Sequence, residues 1–157
     1  MHKTKIDITK ANREKLVELL NARLSDAIDL KQQAKQAHWN VKGMNFIALH
    51  ELFDQVATAV DIHVDDIAER VTTLGGTALG TVRVASSKST LSEYPLEITD
   101  GSSHVEALST ALADFGKIVR KNIDEADELK DADTADLFTG VSRDIDKWLW
   151  FVEAHLQ

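Results

Sequence analysis

Residues 76–101 read GTALGTVRVASSKSTLSEYPLEITDG, and this stretch decides how the helices around it are arranged. It is rich in Ser, Thr and Gly and holds Pro95, the only proline of the chain. Regular apolar spacing stops before it and resumes after it, which predicts a long connection between two helical regions. Because an extended chain spans about 3.3 Å per residue, this connection can run the full length of a helical bundle. We expect one short helix within it, at residues 91–96.

Two predicted helices precede the connection. The first carries apolar residues at steps of three and four from Leu16 and ends near Gly43. The second begins about Asn45 and ends at the pair Gly75-Gly76, since glycine favours the end of a helix. The few residues around Gly43 that separate the two helices predict an antiparallel hairpin.

Two further helices follow the connection. The third is predicted to begin at Ser103, because Ser103 to Glu106 fits the capping-box pattern, and the fourth near Asp133 or Thr134. A few residues around Asp131 separate them, which predicts a second hairpin. Two hairpins with one long crossover between the second and third helices are typical of an all-α, ferritin-like four-helix bundle rather than a simple up-down bundle.

Composition excludes several classes of protein. A length of 157 residues, 43% of them hydrophobic and 28% charged, favours one folded domain. The absence of cysteine excludes disulfides and thiolate metal sites. No apolar run is long enough for a membrane span or has the form of a signal peptide, so we expect a cytoplasmic protein. The net charge is −8, yet five of the first fifteen residues are basic and two acidic. We therefore expect a short basic tail at residues 1–12 and an acidic bundle domain at residues 13–157.

The usual di-iron site inside one bundle is excluded, since it requires Glu-x-x-His on two helices and no Glu of this chain has His three positions later. The second helix instead carries one polar stripe. At about 100° per residue, its members fall within about 100° of one another. They are His50, Asp54, Asp61, Asp65 and Glu69. A stripe facing only solvent is the alternative interpretation.

Helix length divides this stripe into two halves. Asp54 and Asp65 are eleven positions apart, which is roughly 16 Å along a helix, whereas a metal–oxygen bond is about 2 Å. The halves can meet if two copies of the helix cross antiparallel about a two-fold axis near Ala59 and Val60, where small residues permit close approach. The stripe therefore predicts a homodimer with two identical interfacial metal sites.

His38 is a candidate for a further ligand, because it lies at the end of the first helix, close to the turn that leads to His50. A purely structural histidine is the alternative. Two histidines and three carboxylates suit Fe(II), and ligand type alone also admits zinc.

Several segments of the chain closely resemble the Dps family, the DNA-binding proteins from starved cells, also called mini-ferritins. The matching segments are KQAHWNVKGMNF at residues 35–46, LHELFD at residues 49–54, DDIAER at residues 65–70 and DKWLW at residues 146–150. The similarity extends from about Arg13 to Leu156.

The resemblance implies a hollow homododecamer, built from two-fold dimers, that oxidises Fe(II) and stores it as a ferric mineral, with hydrogen peroxide as the preferred oxidant. It implies a di-iron ferroxidase site shared between two subunits. The family's ligands fall on His38, His50 and Asp54 of one subunit and on Asp65 and Glu69 of its two-fold mate. In this arrangement Asp65 and Glu69 hold the tighter iron with His38, and His50 and Asp54 attract the second.

The resemblance also gives roles to two neighbours of the site. Trp39 intercepts stray oxidising equivalents, with core packing as its alternative, and Lys42 balances the carboxylate charge. In this family acidic three-fold pores come from the region of residues 124–136, which holds seven carboxylates in this chain. Asp127, Asp131 and Asp136 are the candidates for an iron-entry pore, with N-capping of the last helix as the alternative.

Two other functions compete with ferroxidase and iron storage. One is a nucleoid-packing protein that binds DNA, with iron oxidation secondary. Its basic tail would hold only Lys3, Lys5 and Lys10, although many copies could act together. The other is a metal-free helical bundle used for assembly. Neither interpretation involves a membrane.

Overall fold

A computed structural model describes residues 1–157 and contains five helices and no strand. The helices are α1 (Lys10–Asn40), α2 (Phe46–Thr73), α3 (Val82–Lys88), α4 (Gly101–Glu128) and α5 (Ala132–Glu153). α1 packs mainly on α2 and α4 mainly on α5, so the four long helices form the two hairpins that the sequence predicts. None of the five helices combines the length and the apolarity that a membrane crossing requires.

The ends of the long helices follow local chemistry. The Thr9 side chain accepts a hydrogen bond from the backbone N–H of Asn12, which caps α1 and places residues 10–12 in the first helix rather than in the tail. α2 ends at Thr73, close to the predicted end, and Leu74 caps it. Gly75 follows with a φ of +86°, a backbone conformation that glycine adopts without steric cost.

α4 begins two residues earlier than the predicted start at Ser103. The residue that caps it is Asp100, whose carboxylate accepts hydrogen bonds from the backbone N–H and the hydroxyl of Ser103 and from the hydroxyl of Ser102. These bonds hold the pKa of Asp100 well below its usual range. Aspartate therefore takes the cap position, and Ser103 is the donor rather than the acceptor.

The crossover contains its helix at Val82–Lys88, so the expectation of a helix at residues 91–96 is wrong. Proline disfavours helical backbone in the residue before it, which here is Tyr94, and this explains why the later segment is irregular. α3 packs Ala85 inward, against the side of α1.

A buried charge network fixes the crossover against the bundle. Arg23 and Asp26, both on α1, form an ion pair of 2.7 Å, and their side chains are 8% and 0% exposed. Asp26 accepts the backbone N–H of Thr90 in the crossover at 2.6 Å, and Arg23 donates to Asn122 of α4 at 3.1 Å. Removing either charge would leave the other buried and unpaired, so the network specifies one path for this long loop.

Candidate metal centre

Two histidines interlock where α1 ends and α2 begins. The Nδ1 atom of His38 lies 2.7 Å from the backbone carbonyl oxygen of His50, and Nδ1 of His50 lies 2.8 Å from the carbonyl oxygen of His38. The rings stack with their centroids 3.7 Å apart. Because a carbonyl only accepts, we assign the hydrogen of each ring to Nδ1, which leaves each Nε2 with a free lone pair. Both imidazoles are thereby fixed in the tautomer that binds a metal through Nε2.

Asp54 lies beside this histidine pair and is held by a lysine. Its Oδ1 atom is 2.6 Å from Nζ of Lys35 on α1. The hydrogen bond from Lys35, and more weakly the nearby imidazoles, lower the pKa of Asp54 below its usual value. The carboxylate is therefore ionised near neutral pH, half-exposed, and already in contact with one cation.

The other half of the stripe has no such partner. Asp65 and Glu69 are exposed on α2, and neither carboxylate forms an ion pair within the chain. No three His, Asp or Glu residues come together within the single chain in a way that would hold a metal ion. Within one copy of the chain, the cluster of His38, His50 and Asp54 is therefore separate from the pair Asp65 and Glu69.

The surface around the stripe is apolar as well as acidic. Ile47 and Ile62, on the same side of α2, are 61% and 59% exposed, and Trp39 of α1 is 62% exposed. Large apolar side chains clustered on a surface mark contact with another protein. Trp39 is thus not a core residue, and its ring lies within 5.5 Å of the Lys35 ammonium.

Comparison with known proteins identifies the family of the chain. A ferritin-like domain model matches residues 17–157. A protein of Agrobacterium fabrum called DNA protection during starvation protein is 48% identical to this chain, over 99% of the chain and 96% of the relative. The chain belongs to the Dps family.

Solved Dps structures have the same fold. The tetragonal form of Mycobacterium smegmatis Dps superimposes with a TM-score of 0.94 at 32% identity, covering 99% of this chain and 94% of that one. A Dps protein from Vibrio cholerae O1, described as a member of a broad superfamily of ferritin-like diiron-carboxylate proteins, matches at 0.92. That protein is 24% identical, with 100% of this chain and 98% of that chain covered, so its likeness concerns the fold alone. The ferritin-like bundle and the Dps resemblance predicted from the sequence are both confirmed.

Two lysines of this Dps chain form ion pairs with the polar stripe that the sequence did not predict. Lys35 pairs with Asp54, and Lys31 pairs with Asp61 at the same distance of 2.6 Å. Lys42, the residue expected to balance charge, makes no ion pair, and only its backbone is engaged, donating to the carbonyl of Thr99. The spacing of the sequence could have indicated these ion pairs. Lys31, Lys35 and His38 follow each other at steps of four and three, so both lysines lie on the same face of α1 as the candidate ligand His38.

The acidic segment divides its members between two environments. Asp127 and Asp136 are exposed. Asp131 is 2% exposed, caps α5 by accepting the backbone N–H of Thr134, and receives two hydrogen bonds from Arg70 at 2.7 and 2.8 Å. Burial alone would raise the pKa of Asp131, but the bonds from Arg70 and Thr134 outweigh it and lower that pKa. For Asp131 the N-capping alternative is confirmed, and its carboxylate is committed to this ion pair rather than free to line a pore.

Proposed function

We propose that this protein is a Dps-type mini-ferritin, which oxidises Fe(II) to Fe(III) at sites shared between two subunits and stores the ferric mineral in a hollow dodecamer. Family membership supports iron storage and DNA protection in general. The observation that carries the more specific proposal is the pair of half-sites on α2: two imidazoles preset for a metal at one end and two unpaired carboxylates at the other.

Geometry supports a two-fold dimer as the unit that completes each site. The half-sites lie roughly 16 Å apart along one helix, so no single ion bridges them within a chain. An antiparallel crossing near Ala59 and Val60 brings His38, His50 and Asp54 of one subunit opposite the carboxylates of the other. The same crossing covers the exposed Ile47, Ile62 and Trp39, and it forms two identical sites per dimer.

In the proposed reaction, iron is the substrate. Asp65 and Glu69 hold one Fe(II) with His38, while His50 and Asp54 hold the second. Two Fe(II) ions side by side deliver two electrons to one hydrogen peroxide, which yields two hydroxide ions and two Fe(III). Carboxylate ligands favour the higher charge of Fe(III), and paired delivery avoids release of a hydroxyl radical. This explains how such a protein protects DNA and cell from oxidative damage, with peroxide as the preferred oxidant. Nothing beyond ligand type supports zinc.

An entry route for iron is part of the proposal. Asp127 and Asp136 are exposed carboxylates near the start of α5, and carboxylate clusters concentrate cations. A groove of about 390 Å³ between α2 and α5 is lined by Asp136, Asp66 and Glu69. Arg70 and His63 line it as well, and the groove connects one proposed pore residue, Asp136, with one proposed ligand, Glu69.

DNA binding is the second candidate, and it depends on how far the basic tail extends from the bundle. The backbone N–H of His2 donates to the carbonyl oxygen of Gly75 at 2.6 Å, so the segment lies against the end of α2. Lys3, Lys5 and Lys10 stay exposed, so this contact limits the reach of the tail and does not remove its lysines. A slower electrophoretic mobility of DNA mixed with the protein at low salt would support DNA binding. An unchanged mobility would mean that iron oxidation alone accounts for the protection of DNA.

The proposal is tested by native mass and stoichiometry together. We expect the mass of twelve 17.4 kDa chains, rising as Fe(II) and peroxide are added. Anaerobic titration should consume two Fe(II) per peroxide with no hydroxyl radical trapped. A monomeric mass, or one Fe(II) per peroxide with abundant radical, would contradict it.

A further inference from the structure

A cavity of about 540 Å³ lies between α1, the crossover and α4, and the proposed iron chemistry does not use it. Its size is within the range of about 300–1,000 Å³ that is typical of small-molecule sites. Lys, Arg and His are absent from its lining, whereas three carboxylates are present: Glu93 of the crossover and Glu106 and Asp114 of α4. All three residues are exposed, and none forms an ion pair within the chain. The cavity therefore carries negative charge that no cation of the chain pairs with.

A buried amide gives the wall of the cavity a hydrogen-bond acceptor. Gln33 of α1 is 5% exposed and lines the cavity. Its Nε2 atom donates to Oδ1 of Asp29 at 3.3 Å and to the backbone carbonyl oxygen of Ser92 at 3.0 Å, which fixes the orientation of the amide. The Oε1 atom accepts no hydrogen bond within the chain, although it is not sealed from solvent. A molecule in the cavity can therefore donate a hydrogen bond to Oε1.

Two serine hydroxyls at the start of α4 are also left as acceptors. Ser102 donates its hydroxyl hydrogen to Oδ1 of Asp100 at 2.7 Å, and Ser103 donates to Oδ2 at 2.6 Å. Both serines line the cavity, and their oxygens keep only lone pairs for a ligand. Asp100 also places a negative charge at the positive end of α4, which would otherwise repel a cation. The amide, the two hydroxyls and the carboxylates together fit a ligand that is rich in N–H donors.

The spacing of the carboxylates indicates the shape of that ligand. Glu106 and Asp114 are eight positions apart on α4, which is roughly 12 Å along the helix. A single metal ion cannot bridge them, because its bonds to oxygen are about 2–2.6 Å long. Ala107 and Ala111 lie between them in the sequence of α4 and also line the cavity. Charged groups separated by apolar surface fit ammonium groups that are joined by methylene chains.

We propose that this cavity binds a linear aliphatic polyamine. Its ammonium groups pair with the carboxylates of Glu93, Glu106 and Asp114, one N–H is donated to Oε1 of Gln33, and the methylene segments cover the apolar part of the wall. Because the carboxylates come from the crossover and from α4, the bound polyamine joins the long loop to the bundle. The site shares no residue with the proposed iron site, so binding requires no iron.

Calorimetric titration of the assembled, iron-free protein with spermidine tests the proposal. We expect one spermidine to bind per subunit at about 0.1 M salt. Glu106→Gln and Asp114→Asn should each weaken binding by about fivefold, the loss expected for an ion pair that is open to solvent. Asp124→Asn is the matched control, because it removes an exposed carboxylate of α4 that does not line the cavity. The affinity of this control for spermidine should equal that of the wild type.

A matched pair of ligands separates hydrogen bonding from charge. 1,6-Diaminohexane and hexamethonium carry the same two charges on the same carbon chain, but only the diamine has N–H donors. We expect the diamine alone to bind. Equal binding of the two ligands, or an equal loss of spermidine affinity in Glu106→Gln and Asp124→Asn, would overturn the proposal, because the polyamine would then be only a counterion of the acidic surface. Absence of spermidine binding would overturn it as well, and is the result expected if a lysine of a neighbouring subunit fills the cavity.

Discussion

In the proposed site, Lys35 and the second iron compete for Asp54, so replacing Lys35 by Met should strengthen metal binding. Its ammonium lies 2.6 Å from the Asp54 carboxylate, where a second metal ion would bind, and the two side chains are 26% and 50% exposed. An ion pair this exposed contributes at most about 1 kcal/mol. Removing it should therefore raise the affinity of the second iron by about fivefold, while methionine preserves most of the length and packing of the lysine stem.

The measurement is anaerobic calorimetric titration of assembled protein with Fe(II). Lys31→Met is a matched control, because Lys31 forms an ion pair of the same 2.6 Å length and similar exposure with Asp61, which is not an expected ligand. We expect the second binding step to strengthen in Lys35→Met alone. Unchanged or weaker binding in Lys35→Met, or an equal gain in Lys31→Met, would refute the idea that Lys35 occupies the position of the second ion.

Three further predictions concern stability and can be measured by urea unfolding at fixed protein concentration. Asp131→Asn should destabilise the protein by about 3 kcal/mol, since it leaves Arg70 without its buried partner. Folding lowers the pKa of Asp131, so its charge stabilises the protein fully above the unfolded carboxyl pKa of about 3.9. This stabilisation disappears as the pH falls through the lower pKa of the folded state. The unfolding free energies of wild type and variant should therefore converge in acid. Gly76→Ala should cost about 2 kcal/mol, because the added Cβ would lie 2.7 Å from both methyl groups of Val17, a stiff β-branched residue. Gly140→Ala, where nothing lies within 4 Å of the new Cβ inside α5, should instead stabilise by about 0.5–1 kcal/mol; a loss there would contradict the helix geometry.

The sequence predicts the four long helices well because apolar spacing and glycine stops are local signals. It predicts the crossover from its length, but not where the short helix lies, since Ala85 is drawn to α1 by a tertiary contact while Pro95 acts against the segment that looked helical. The start of α4 depends on which of two residues three positions apart, Asp100 or Ser103, caps the helix, and only the observed hydrogen bonds decide between them.

The candidate metal centre also has some features that the sequence predicts and others that depend on tertiary contacts. The stripe on α2 follows from helix periodicity, so the separation of its two halves can be calculated from residue spacing alone. The partner of Asp54 cannot, because Lys35 reaches it across a helix interface. The same holds for the acidic segment, where Asp131 pairs with Arg70 from 61 positions away. The mutual hydrogen bonds of His38 and His50 likewise depend on the turn that brings two backbone carbonyls and two rings together.

Complementation between two inactive variants tests the shared site most directly. Asp54→Ala disables one half-site and Glu69→Ala the other, and each variant alone should lose iron oxidation. When the two chains are unfolded, mixed in equal amounts and reassembled, half of the two-fold dimers contain one of each and regain one intact site. We expect about a quarter of the wild-type rate to return, as the symmetry of a two-fold interface requires. If the mixture oxidises Fe(II) no faster than the separate variants, the site is not shared between subunits.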